Sequence, residues 1–139
     1  MTPFRWQDSL SLDVPAIDKD HKLLIDLLNR IHYMELAGDD QEAIAVVIAE
    51  LVEYTTTHFS REEMLMRLSG YPGYKAHQKI HESLRTRVAD LHAQFQRKPE
   101  TFDVQRFYRF LADWLTMHIL GEDAKIKPYV EKLAEAQAA

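Results

Sequence analysis

Apolar residues recur along most of this chain at alternating steps of three and four, the period of a helix with one buried face, and four such stretches separate cleanly. The first runs through His21, Leu24, Leu28 and Ile31 and stops at Gly38, a residue suited to the left-handed position after a helix. Asp39 or Asp40 opens the second, whose inward positions are Ile44, Ile48, Leu51, Thr55, His58, Glu62 and Leu65. Ser69-Gly70-Tyr71-Pro72-Gly73 breaks that pattern, and a third stripe follows through Tyr74, His77, His81, Leu84, Val88, Leu91 and Phe95. Lys98-Pro99-Glu100-Thr101 reads as the next connection. A fourth stripe, capped by Thr101 or Asp103, then passes through Val104, Phe107, Leu111, Trp114, Leu115 and His118. The pattern predicts an all-α, up-down-up-down four-helix bundle with helices near residues 18–37, 40–67, 73–97 and 103–120, an N-terminal arm at 1–17 and a short C-terminal helical segment. Asp18 is the expected N-cap of the first helix, and Gly121 and Pro128 are expected to weaken or end the fourth. A chain of 139 residues fits one domain with a real core.

The polar members of these stripes change the picture. Short connections make neighbouring helices antiparallel, so the starts of odd helices and the ends of even ones share one end of the bundle. His21, His58, Glu62, His77, His81 and His118 all fall at that end, with Asp123 just beyond. Side chains at i and i+4 share a helix face, so His58 with Glu62, and His77 with His81, each aim two donors at one place. The five-residue step from His118 to Asp123 leaves those two about 140° apart on an ideal helix. Irregular backbone is therefore expected near residues 119–124.

Composition narrows the chemistry. The chain has no Cys, which excludes disulfides and thiolate-bound clusters, so a metal here must use nitrogen and oxygen donors. A net charge of −5 without a basic run argues against an extended nucleic-acid surface. No apolar run is long enough to span a membrane, and the stretch from Met1 to Ile17 lacks the layout of a secretory signal, so the cytoplasm is the expected location. Burying seven polar donors without a metal would cost several kcal/mol for each unpaired member. If both carboxylates bridge and one oxygen is shared, two octahedral ions would keep about one of their twelve positions open. Such an opening suits reversible binding of a small diatomic ligand.

The motifs carrying these donors resemble the hemerythrins, specifically the single-domain bacterial ones, over nearly the whole chain. They are Phe4-Arg5-Trp6, Ile17-Asp18-Lys19-Asp20-His21, His58-Phe59-Ser60-Arg61-Glu62-Glu63, Gly70-Tyr71-Pro72, His77 to His81, and Trp114-Leu115-Thr116-Met117-His118-Ile119 through Asp123. The resemblance implies a non-haem di-iron centre with an oxo or hydroxo bridge that binds dioxygen reversibly. One iron would take His77, His81 and His118 and the other His21 and His58, with Glu62 and Asp123 bridging and the opening on the His21/His58 side. Leu24, Phe59, Trp114, Leu115 and Ile119 are the expected walls of the oxygen pocket.

Other features have plainer readings. Glu63 reads most simply as an outward residue, with support of a neighbouring ligand as its alternative, His32 and His92 as hydrogen-bonded or solvated histidines toward the far end, Tyr71 and Tyr74 as loop anchors, and Trp6 as the anchor of the arm. Three functions stay distinct at this stage: an oxygen carrier or store, an oxygen, redox or nitric-oxide sensor working through a separate partner, and a di-iron oxidase or peroxidase-like enzyme. No Glu-x-x-His step of the ferritin-like oxidases occurs, and the high ratio of imidazole to carboxylate favours the non-enzymatic carrier. Zinc is the alternative metal on donor type, though seven donors exceed the usual need of tetrahedral zinc pairs. No extra apolar stripe demands a partner, so a monomer is expected.

Overall fold

The computed structural model describes residues 4–138; residues 1–3 of the arm and Ala139 lie outside it. Helices α1 (Pro15–Ala37), α2 (Gln41–Ser69), α3 (Tyr74–Arg97) and α4 (Val104–Gly121) form the bundle, and α5 (Lys127–Ala138) follows a short 3-10 turn at Asp123–Ile126. No strand occurs among the described residues. The helix α1 packs against α2 and α4, and α2 also meets α3 and α5.

Helix ends follow the capping chemistry, with one revision. Asp40 and Asp103 accept from the backbone N–H groups of Ala43 at 2.8 Å and Arg106 at 3.0 Å, so each satisfies an otherwise unpaired first-turn donor. Gly38 and Gly70 close α1 and α2 in the left-handed region, at φ of 73° and 71°. Asp18 is not the N-cap. The helix begins three residues earlier, because Pro15 has the φ and the missing N–H that suit a first helical position. Asp18 instead reaches back, accepting from the Leu12 N–H at 2.9 Å and the Ser11 hydroxyl at 2.6 Å, and straps the arm to α1. Asp18→Ala should therefore destabilise the protein by about 1–2 kcal/mol without changing metal content, read from urea unfolding. An unchanged midpoint would show that the strap carries no stability.

A second tie joins the arm to the middle of the bundle. The Asn29 side chain both accepts from the Phe4 N–H at 3.0 Å and donates to its carbonyl at 2.6 Å, and the Tyr108 hydroxyl accepts from the same N–H at 2.7 Å. His32 lies beneath this tie, fully buried, stacked on Tyr108 and bonded through Nδ1 to Gln105 Oε1 at 2.9 Å. Trp6 is half-buried against the core, with Lys22 Nζ over its ring.

Two apolar clusters set the position of the polar layer. The main core includes Leu24, Leu28, Ile31, Ile48, Leu51, Phe59, Leu84, Val88, Phe107, Leu111 and Ile119. A smaller cluster of Leu12, Ile17, Met66 and Ile126, with Tyr71 and Tyr74 against it, closes the end of the bundle. His21 on α1, Glu62 on α2 and His77 and His81 on α3 fall between the residues of one cluster and those of the other, so hydrocarbon flanks the donor layer on both sides.

Candidate metal centre

All seven predicted donors are buried and converge at one level. One ligand atom from each of Glu62, His77, His81, His118 and Asp123 lies within 4.8 Å of every other, and the same holds for His21, His58, Glu62 and Asp123. The two groups share both carboxylates. Glu62 Oε1 is 2.8 Å from His77 Nε2 and 3.1 Å from His81 Nε2, while its Oε2 is 3.1 Å from His58 Nε2. Asp123 Oδ1 is 2.9 Å from His118 Nε2 and 3.0 Å from His77 Nε2, and its Oδ2 is 3.1 Å from His21 Nε2.

Asp123 reaches this layer because the chain leaves the α4 axis. Glu122 N–H still bonds to the His118 carbonyl at 2.8 Å, after which the 3-10 turn begins and α5 packs on α2. Gly121 stays helical, so the irregularity comes from this tight turn and not from a left-handed glycine or a widened helix. Pro128 does not end α4. It sits in the first turn of α5, where a missing N–H leaves no bond unmade.

The donor set passes a physical test for cations. His21 Nδ1 and Nε2, His58 Nε2, Glu62 Oε2 and both Asp123 oxygens are buried without a hydrogen-bond partner. Several of these atoms approach within 3.1 Å of one another without hydrogen-bond alignment, so they aim at a common space. The Nε2 atoms of His77 and His81 each lie 3.1 Å from that of His118. Nitrogens bound about 2.1 Å from one ion in adjacent positions stand about 3 Å apart, the spacing seen here. Orphaned buried donors at coordination spacing fit a metal pair.

Electrostatics shows how the layer is balanced. Burial pushes His58 down, but the hydrogen bond to Asp20 and the negative charge of the adjacent Glu62 outweigh it and hold the ring at about 10. Burial likewise opposes Asp123 and Glu62 at His77, which still rises to about 9. His21 and His118 are raised for the same reason. Burial would raise Glu62, yet the surrounding imidazoles hold it well below the carboxylate range, and Asp123 is lowered similarly. Protons thus occupy the donors' field in the absence of metal, and metal must displace them.

The expectation for Glu63 was wrong. It is buried, and His81 Nδ1 donates to its Oε2 at 2.8 Å, with Arg85 Nη2 at 3.0 Å from the same oxygen. Asp20 was not singled out by sequence, yet it is fully buried and accepts from His58 Nδ1 at 3.0 Å, the Tyr54 hydroxyl at 2.6 Å and Arg61. A signal for both existed. Asp20 lies three residues after Ile17 and four before Leu24, and Glu63 four after Phe59 and three before Met66, so each is a carboxylate on a buried stripe.

Of the expected pocket walls, Leu24, Phe59, Trp114 and Leu115 line one small apolar cavity with Leu28, Leu51, Thr55, Leu84 and Leu111. Ile119 is buried in the core and does not line it. Phe59 stacks on His81 at 3.8 Å between ring centroids, and Trp114 on His118 at 4.3 Å, so the cavity adjoins the donor layer.

Fold and site together define a helical bundle built around a buried two-cation donor set. Residues 12–130 match the family described as Hemerythrin HHE cation binding domain, and the chain belongs to the hemerythrin family. It is 40% identical over 119 residues to a bacteriohemerythrin of Pseudomonas aeruginosa, covering 86% of this chain and 76% of that protein. A myohemerythrin of Riftia pachyptila is 28% identical, with 91% and 92% of the two chains covered. The crystal structure of a wild-type hemerythrin superposes with a TM-score of 0.86 at 29% identity, covering 93% of this chain and 98% of the other.

Proposed function

We propose that this protein binds dioxygen reversibly at a non-haem di-iron centre and acts as an oxygen carrier or store. The observation that carries the reading is a buried seven-donor set, split into two groups that share Glu62 and Asp123, beside a small apolar pocket. His77, His81 and His118 would hold one iron and His21 and His58 the other, with both carboxylates common to the pair. When bound, the iron pair supplies the electrons and the open coordination position that dioxygen requires. No membrane-spanning helix occurs among the described residues, and the reading includes a monomeric, cytoplasmic protein, the first of which sedimentation checks.

The chain's own residues supply the environment. The cavity measures about 20 Å³, close to the space that one very small molecule needs. Its lining side chains are apolar except for Thr55 and the indole N–H of Trp114, and the Thr55 hydroxyl donates its proton to the Leu51 carbonyl at 2.7 Å. Water entering would find almost nothing to bond to. Exclusion of water and protons protects a bound oxidisable ligand complex from loss in the wrong charge state.

Iron-loaded protein should gain a charge-transfer band in air and lose it under argon, repeatedly and without net oxygen uptake. Continuous oxygen or peroxide consumption would overturn the carrier reading in favour of an enzyme. Leu24→Ser should shorten the lifetime of the oxygenated form severalfold at unchanged iron content, although it lowers stability by about 3 kcal/mol. Decay of the band, followed in air-equilibrated buffer beside an iron assay, checks this. An unaltered lifetime would remove Leu24 from the pocket's function.

A further inference from the structure

Outside the seven donors, the layer contains two buried carboxylates that no metal-binding group includes. Each touches one histidine from behind, and the two histidines belong to different halves of the site. Glu63 Oε2 accepts from His81 Nδ1 at 2.8 Å, and Asp20 Oδ2 accepts from His58 Nδ1 at 3.0 Å. His21 and His77 have no partner at Nδ1, so this bracing is selective.

Each carboxylate is itself fixed by groups that reach toward solvent. Arg85, 27% exposed, donates to Glu63 Oε2 at 3.0 Å, and Gln78 donates to Oε1 at 3.3 Å. Arg85 also lies over the Phe59 ring, 5.3 Å from its centroid, while Phe59 stacks on His81. The His81 ring is thus gripped at its edge by Glu63 and on its face by Phe59, and one arginine touches both grips. On the other side Arg61, 39% exposed, and Tyr54 both donate to Asp20 Oδ1.

We infer that Glu63 and Asp20 are positioning residues, one for each metal: Glu63 holds His81 for the three-histidine half, and Asp20 holds His58 for the two-histidine half. The physical reason is tautomer and rotation. An imidazole can turn by half a revolution, which puts ring carbons where its nitrogens were, and its proton can sit on either nitrogen; an acceptor behind Nδ1 fixes both, keeping the proton there and leaving the Nε2 lone pair facing the donor layer. The arginines offset most of the added negative charge, so the contribution of Glu63 is an acceptor in the right place. An amide can replace it. In Glu63→Gln the carbonyl can serve His81 and Arg85 while the NH2 faces the Gln78 amide, which can turn its oxygen toward it.

The inference rests on the two-metal reading, and cobalt(II) titration against a competing chelator separates the two. Wild-type protein should take up two ions in resolvable steps; failure to do so would sink the two-metal reading itself. Glu63→Ala should weaken one step about 10–100-fold and leave the other in place, and Glu63→Gln should restore most of that loss. In a His118→Ala background, where the three-histidine half is already weakened, Glu63→Ala should leave the surviving step unchanged and Asp20→Ala should weaken it. Melting with excess chelator identifies variants that fold. If wild type binds two ions but a folded Glu63→Ala matches it, or loosens both ions equally, or Glu63→Gln behaves as Ala does, the inference is overturned.

Discussion

Glu62→Ala should yield a protein that loads neither metal firmly, with affinity lost beyond the roughly 100-fold upper range for removal of a supporting partner. The reason is that Glu62 belongs to both donor groups: Oε1 faces His77 and His81, and Oε2 faces His58. A histidine deletion removes one donor from one half, whereas this change opens both. It also leaves raised imidazoles buried without a main counter-charge, and an uncompensated buried charge costs about 3–5 kcal/mol. Glu62→Gln keeps the volume and separates the two effects: it should fold better than the alanine variant and still bind metal poorly. Metal content after reconstitution, measured beside circular dichroism, decides the matter. A folded Glu62→Ala chain retaining two ions would show that Glu62 is not shared.

The second large effect concerns stability. A site occupied at about a thousand times its dissociation constant adds about 4 kcal/mol to folding. In a chain of this size each kcal/mol moves the melting temperature by about 3–5 °C, so stripping the metals should lower it on the order of 10 °C or more. Calorimetry on loaded protein and on the same sample after chelation and dialysis measures the gap, and reloading should close it. Equal melting temperatures would mean that the donor layer is as well satisfied by protons as by cations. The orphaned oxygens of Asp123 and Glu62 argue otherwise.

The helices were legible because their stripes are long and their ends carry strong local signals: Asp40 and Asp103 cap, and Gly38 and Gly70 terminate. The start of α1 was misplaced because Asp18 and Pro15 both carry start signals, and only the docked arm shows that Asp18 is engaged elsewhere. Convergence of the donors was legible too, since antiparallel topology dictates which helix ends meet. The angle between His118 and Asp123 announced a break, but not that a fifth helix resting on α2 would redirect the chain. Bracing by Glu63 was the less favoured reading because its neighbour Glu62 already faces inward, and the Arg85 that neutralises it comes from another helix. Such pairings are properties of packing between elements, and one stretch of sequence does not display them.

The position of Asp123 also imposes an order on assembly during vectorial synthesis. Six of the seven donors are in place once α4 has been made, whereas the last carboxylate arrives only with the turn that follows and the docking of α5. The seventh wall of the cage therefore depends on the hold of α5 on α2 and not on the four long helices alone.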